Sequence, residues 1–301
     1  MENETLSRPT SFPSSEYPIV QTDIVFLAKE KLYETVKPYS VRYRAKQIPP
    51  SNIIPHHVNI QVRDVRTSLD QLSLDRNGFE VHDFHTTLAY DDFDDKDRLE
   101  DVYLAEIRAH LLSSLKAKNV ITLNYTLRKR HASFPISTGL PYEHGQPVLF
   151  AHIDSTYEDV KKLLEELYPT CFQDIQRGRY QVITAWKPLH GPVRDWPLAV
   201  CDTASVNYDE DITHADVVEQ ARVSENCLVH HHPAQKWCYI GDQAESGLLL
   251  IKSMDSNPSH ANACPHTAFP IPSEPASRPR ESIDVKTIVM YADMDYPDVE
   301  M

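Results

Sequence analysis

The stretch that most constrains this chain begins after Pro169. "RYQVITAWKPL", "PLAVCD", "CLVHHH", "KWCYI", "GLLLIKSMD", "HTAF" and "ESIDVKTIVMYA" follow one another with no long helix between them. Each is biased to β-branched and aromatic residues, and most are set apart by Pro, Asp, Asn or Ser. Short strands bury their apolar faces by stacking one sheet on another, so this half of the chain predicts a β-sandwich or a jelly roll.

Upstream the pattern is mixed. Residues 1–20 are rich in Ser, Pro and Glu and read as a disordered tail. "DIVFLAKEKLYETV" has no single period. "GFEVHDFHTTL" reads as a strand after a turn at Asn77-Gly78. The acidic run Asp91 to Asp97 lacks the Gly and terminal Glu of an EF-hand loop and reads as a helix lead-in. In "RLEDVYLAEIRAHLLSSLKAK", Leu104, Ile107, Leu111 and Leu115 recur at helical steps. "NVITLNYTLRKR" reads as a strand whose basic end, "TLRKRH", is solvated. Ser155 to Glu158 forms a capping-box pattern, and Val160, Leu163, Leu164 and Leu167 mark one face of a helix stopping near Pro169. No clean linker divides residues 21–301, which are expected to form one domain with a core at about 145–292.

Composition excludes several functions. The chain has 301 residues and a formal net charge of −14, which disfavours a broad nucleic-acid or anionic-membrane surface. No apolar run is long enough to span a bilayer, and the N-terminus lacks the basic and apolar regions of a signal peptide. Five cysteines with no CxxC indicate neither a disulfide framework nor a zinc–thiolate site, so a reducing, cytoplasmic setting is expected. No phosphate-cradling glycine motif occurs. A small-molecule substrate is expected, and a homodimer is compatible with everything above.

One pair of residues points to chemistry. "FAHIDSTYEDV" holds His152 and Asp154, which project to one face if they lie on a strand. An imidazole nitrogen and a carboxylate oxygen can then share an ion, and one further histidine completes the two-histidine, one-carboxylate set that leaves open positions on Fe(II). Candidates for that third ligand are His190 in a turn, His230 and His232 in a triple-histidine run, and His266 in "CPHTAFP". An enzyme that also binds a dicarboxylate needs a guanidinium fork with a hydroxyl beside it. "RPRESIDV" supplies Arg280 and Ser282 on one face downstream of His266, and nothing comparable follows the triple histidine. His266 is therefore the expected third ligand.

"WKPLHGPVRDWPLAVCD" (residues 186–202) resembles the W-[RK]-P-[LI]-x-G-P-V-x-D-x-P-L-A-x-C-D signature of a fungal hydroxylase/desaturase family. That family includes gibberellin desaturase-like, cephalosporin methoxylase-like and endoperoxide-forming oxygenases. "HIDST", "GRYQVITAW", "HHPAQKWCYI", "KSMDS", "PHTAF" and "RESIDVK" are similar to it as well. Lys187 stands where Arg is usual and Cys238 where an aromatic residue is usual. The resemblance implies a double-stranded β-helix, with Fe(II) bound by His152, Asp154 and His266. It further implies 2-oxoglutarate anchored at Arg280, where the residue pattern adds Ser282, with O2 as oxidant and an apolar secondary-metabolite intermediate as substrate. Trp186, Arg179 and Trp237 are candidate substrate-pocket residues, although tryptophans are more often core and Asp195 and Asp202 read as turn or cap residues, with Arg179 and Arg194 as candidate partners. Two other readings compete: a zinc-dependent jelly-roll hydrolase or isomerase using His230 and His232, and a non-catalytic binding module.

Overall fold

All nine residues of the strand Tyr180–Pro188 are buried. Such a strand must be covered on both faces, and this requirement organises the molecule. The computed structural model describes residues 18–43, 47–136, 139–260, 262–272 and 278–299. Of the expected tail, residues 1–17 lie outside the described residues, and Ile19 and Val20 already belong to the first strand.

The strands are β1 (Ile19–Leu27), β2 (Tyr39–Val41), β3 (Pro55–Asp64), β4 (Phe79–Asp83), β5 (Asn119–Lys129), β6 (His152–Ile153), β7 (Tyr180–Pro188), β8 (Leu198–Cys201), β9 (Ile212–Val218), β10 (Val223–Val229), β11 (Trp237–Tyr239), β12 (Gly247–Asp255), β13 (His266–Ala268) and β14 (Glu281–Met290). Two longer helices are α1 (Leu104–Ser114) and α2 (Tyr157–Leu167). Among the described residues the strands form a nine-stranded sheet, β1-β3-β11-β8-β13-β6-β10-β9-β2, and a five-stranded sheet, β4-β12-β7-β14-β5. Stacked on each other, they make the mainly β, double-stranded β-helix with flanking helices.

Alternation along β7 divides its neighbours. Ile183 and Ala185 pack with Tyr103, Ile107 and Leu111 on the helical side. Trp186 points the other way, toward Val200, Cys238 and Ile240 of the larger sheet. At the far end Tyr180 and Val182 meet Val160 and Leu164 of α2. The smaller sheet is thus roofed outside by α1 and closed inside by the larger sheet and α2.

Four local expectations shift. A π-helical turn at Leu99–Tyr103 precedes α1, so the buried stripe is Leu99, Tyr103, Ile107 and Leu111, while Leu104 and Leu115 are half-buried. The α2 cap is Thr156 rather than Ser155: Thr156 has extended backbone angles, and its hydroxyl accepts from the Asp159 amide at 3.3 Å. The open segment from Asp23 becomes β1 followed by a 3-10 turn, Lys31–Glu34. Lastly, the triple histidine lies beyond β10, which ends at Val229, so strand alternation does not govern it.

Candidate metal centre

β6 is only two residues long, yet it sits between β13 and β10 in the larger sheet. His152 pairs directly with His266 of β13 in antiparallel register. Opposed residues in such a pair have adjacent side chains; here the ring centroids are 4.4 Å apart, with planes tilted by 51°. His152 Nδ1 lies 2.8 Å from the Phe150 carbonyl oxygen and His266 Nδ1 lies 3.2 Å from that of Cys264. A carbonyl only accepts, so each Nδ1 carries the proton and each Nε2 keeps its lone pair.

Both lone pairs face Asp154, one residue past the strand. His152 Nε2 is 3.4 Å from Oδ1, and His266 Nε2 is 3.8 Å from Oδ2. One ligand atom from each of the three residues lies within 4.8 Å of the others, and this is the cluster of its kind found among the described residues. Burial, then the neighbouring His152, push the His266 imidazole down to about 4, which keeps it neutral near pH 7. Burial pushes the Asp154 carboxyl up, but the positive charge of Lys286 outweighs it and holds the group well below the usual carboxylate range. Two imidazole lone pairs and an anionic carboxylate thus converge on one point, an arrangement that a divalent cation stabilises.

The carboxylate is oriented from the smaller sheet. Thr184 of β7 donates to Oδ2 at 2.7 Å, and the Ser253 hydroxyl of β12 stands 3.4 Å from the same oxygen. Lys286 of β14 donates to the Asp154 main-chain carbonyl at 3.3 Å, with its ammonium 4.0 Å from Oδ1. The histidines therefore belong to one sheet, and the groups that aim the carboxylate belong to the other.

A cavity opens beside the cluster, between the sheets. Val148, Leu198, Ile251 and Trp186 supply apolar wall, and Arg280 lies at its edge. Arg280 is 2% exposed. Its Nη1 donates to the Trp196 carbonyl at 2.6 Å, and its guanidinium lies 5.7 Å from the Trp186 ring centroid. Trp196 holds that carbonyl in place with a positive φ of 44°, an uncommon conformation for a bulky residue. Burial, then the charge of Arg128, pull Arg280 down to about 9. Its Nε and the Ser282 Oγ are both shut from solvent without a hydrogen-bond partner. Buried polar groups are rarely left so, and a bound carboxylate would satisfy both. The donor set therefore fits a divalent metal, and the orphaned pair fits an anionic cosubstrate.

Of the expected pocket residues, Trp186 lines the cavity. Arg179 does not: it pairs with Asp75 and Asp255 and lies over the Tyr291 ring. Trp237 also stands apart, packed edge-on against Phe26. His230 uses both ring nitrogens, one on the Leu27 carbonyl at 2.8 Å and the other on the Thr213 hydroxyl at 2.9 Å. His232 Nδ1 takes the Ala234 amide at 3.2 Å. The triple histidine is occupied in structure rather than gathered for zinc. The basic strand end is not solvated either. Arg128 pairs with Asp284 at 2.6 Å and lines the cavity, while Arg130 pairs with Asp195. Asp195 thus bonds Arg130 and the Arg280 amide, and Arg194 instead bonds Asp242. Asp202 caps Ala204 as expected. Sequence reading missed Thr184, Ser253, Asp284 and Lys286. A signal existed for the last two, because Asp284 and Lys286 continue the i, i+2 series of Arg280 and Ser282.

A family model described as "Oxidoreductase/YMDC permease-like domain" matches residues 24–290. The Fe(II)/2-oxoglutarate-dependent dioxygenase nvfI of Aspergillus novofumigatus is 29% identical over 283 residues, covering 91% of this chain and 95% of its own. The alpha-ketoglutarate-dependent dioxygenase tstK of Talaromyces stipitatus is 26% identical over 248 residues, covering 78% and 86%. The hydroxylase/desaturase efuI of Hormonema carpetanum is 27% identical over 256 residues, covering 78% and 84%. Among solved structures, the iron and alpha-ketoglutarate-dependent endoperoxidase NvfI superposes with a TM-score of 0.79 at 23% identity, covering 91% of this chain and 98% of that one, which shows the shared fold.

Proposed function

Since the chain belongs to the family described as the oxidoreductase/YMDC permease-like domain, we propose that it is an Fe(II)/2-oxoglutarate-dependent dioxygenase. Its substrate is an apolar small-molecule intermediate of a secondary-metabolite pathway. The observation that carries this reading is the convergence of His152, Asp154 and His266 beside the buried Arg280, whose Nε has no hydrogen-bond partner. His152, Asp154 and His266 hold the iron, and Arg280 with Ser282 receives the far carboxylate of 2-oxoglutarate. When bound, Fe(II), 2-oxoglutarate and O2 supply the oxidation of an unactivated C–H bond, with succinate and CO2 as coproducts.

The chain's own residues bind and orient. Phe150 and Cys264 carbonyls fix the two tautomers, so both imidazoles present Nε2. Thr184 and Ser253 engage Oδ2 of Asp154, leaving Oδ1 for the ion. Val148, Leu198, Ile251 and Trp186 exclude water from the reacting bond. Hydroxylation, desaturation, rearrangement and endoperoxide formation share these parts, and the seat of the substrate chooses among them. Residues 21–301 act as one unit in this reading, with the ligands in the core at about 145–292. The setting is cytoplasmic and no nucleic acid takes part. Among the described residues no helix is long and apolar enough to cross a membrane.

Succinate release tests the reading. Purified chain with Fe(II), 2-oxoglutarate and O2 is expected to form succinate, stimulated by an apolar substrate and lost in His152→Ala. Wild-type chain that forms no succinate under any substrate contradicts it.

A further inference from the structure

A second cavity is also bordered by Arg280. His190, Arg194, Asp195, Arg278, Arg280 and Glu281 line it, and of these only Arg280 also borders the cavity beside the metal cluster. Its carboxylates are already engaged. Asp195 takes the Arg130 side chain and the Arg280 amide, the latter at 2.7 Å, and Glu281 takes the Tyr90 hydroxyl. Arg194 bonds Asp242 at 2.7 Å.

The remaining cations are less well served. Among the described residues, neither the Arg278 nor the Arg280 guanidinium forms an ion pair with a carboxylate; Arg278 is exposed and engages the Tyr90 side chain, 5.6 Å from its ring centroid, and Arg280 bonds the Trp196 carbonyl. His190 Nε2 is buried without a hydrogen-bond partner. The other side of the His190 ring engages the Pro279 carbonyl, so Nε2 is the nitrogen turned to a ligand. Two guanidiniums and one orphaned imidazole nitrogen around one cavity suit an anion that accepts from the arginines and donates to the ring.

We propose that this cavity binds a small carboxylate or phosphate anion, held by Arg278 and His190 and sharing the Arg280 guanidinium with the occupant of the metal-side cavity. Hydrogen phosphate or a half-protonated dicarboxylate can donate to His190 Nε2 while accepting from the arginines. Two anions on one guanidinium repel each other, so filling one cavity weakens the other. The antagonism rests on the assignment of Arg280 as cosubstrate anchor; the anion site itself does not.

The test is calorimetric titration of the metal-free full-length chain with inorganic phosphate. The wild type is expected to bind one equivalent. Arg278→Ala and His190→Phe are each expected to weaken it at least tenfold at an unchanged melting temperature, and Arg278→Lys to retain most of it. A parallel titration with 2-oxoglutarate separates the sources. A second, metal-independent equivalent lost in Arg278→Ala identifies a dicarboxylate occupant; phosphate binding without it identifies an oxyanion. Saturating phosphate should weaken 2-oxoglutarate binding several-fold in the wild type and not in Arg278→Ala. No phosphate binding by the wild type, or binding by Arg278→Ala and His190→Phe equal to that of the wild type, overturns the proposal. Failure of the dioxygenase reading would instead appear as absent succinate with phosphate binding intact.

Discussion

β14 places two different environments on its two faces. Ile283, Val285 and Val289 point outward and are buried with Tyr103, Ile107 and Leu111. Arg280 just before the strand, then Ser282, Asp284 and Lys286, share the opposite face: Arg280 Nε and Ser282 Oγ have no hydrogen-bond partner, Asp284 pairs with Arg128, and Lys286 turns toward Asp154. The backbone period is the same on both. The outer face gains free energy from apolar burial, whereas the inner face holds polar groups out of water, at a cost in stability that a bound ligand offsets. Stability and chemistry therefore separate by residue parity along one strand, and substitutions on the two faces should report on different quantities.

The largest expected effect lies on the ligands. His266→Ala should weaken metal binding, measured by anaerobic Fe(II) or Mn(II) titration, by more than the roughly 10–100-fold typical of outer-sphere partners. Ile283→Ala, one step from Ser282 but on the outer face, should lower the unfolding free energy by about 2–5 kcal/mol in denaturant melts. Its metal affinity should stay within about twofold, given that it touches nothing on the inner face. Arg280→Met should move the two quantities in opposite directions. Binding of 2-oxoglutarate should weaken about 100-fold, as expected when one member of a buried charge pair is removed, while the metal-free chain should be as stable or more stable, because a buried unpaired cation is gone. A melt showing Arg280→Met strongly destabilised would break the comparison. Thr184→Val keeps shape and removes the donor to Asp154, so metal affinity should fall about tenfold.

The smallest effect concerns acid. Burial lowers the His230 imidazole below its ordinary value, against the helping Leu27 carbonyl. As pH falls below about 6.5 the unfolded chain takes up this proton before the folded one does. The stability is thus full above that pH and is lost progressively on going down. His230→Gln should flatten the melting temperature between pH 7 and pH 5; an equal slope in wild type and variant would remove His230 from this role.

The metal cluster was legible because it is local and paired. His152 and Asp154 are two residues apart, and Pro265 and Pro270 flank the short strand bearing His266. The apolar alternation of Val58, Ile60 and Val62 in β3 is masked in the sequence by the flanking histidines and polar residues. The polar clasp was not legible. Thr184 sits within an apolar strand, and only the stacking of the two sheets brings it to Asp154. Arg128 looked like part of a solvated basic run because its partner, Asp284, is distant in sequence. The Thr156 cap and the π turn before α1 are shifts of a single residue, which side-chain patterning does not resolve.

The central claim is that His152, Asp154 and His266 hold one metal ion. Anaerobic titration of the chain with Fe(II) and 2-oxoglutarate tests it most directly. The account predicts a weak visible charge-transfer band in the wild type and in His232→Ala, and no band in His266→Ala. A band that survives His266→Ala and disappears in His232→Ala would contradict it.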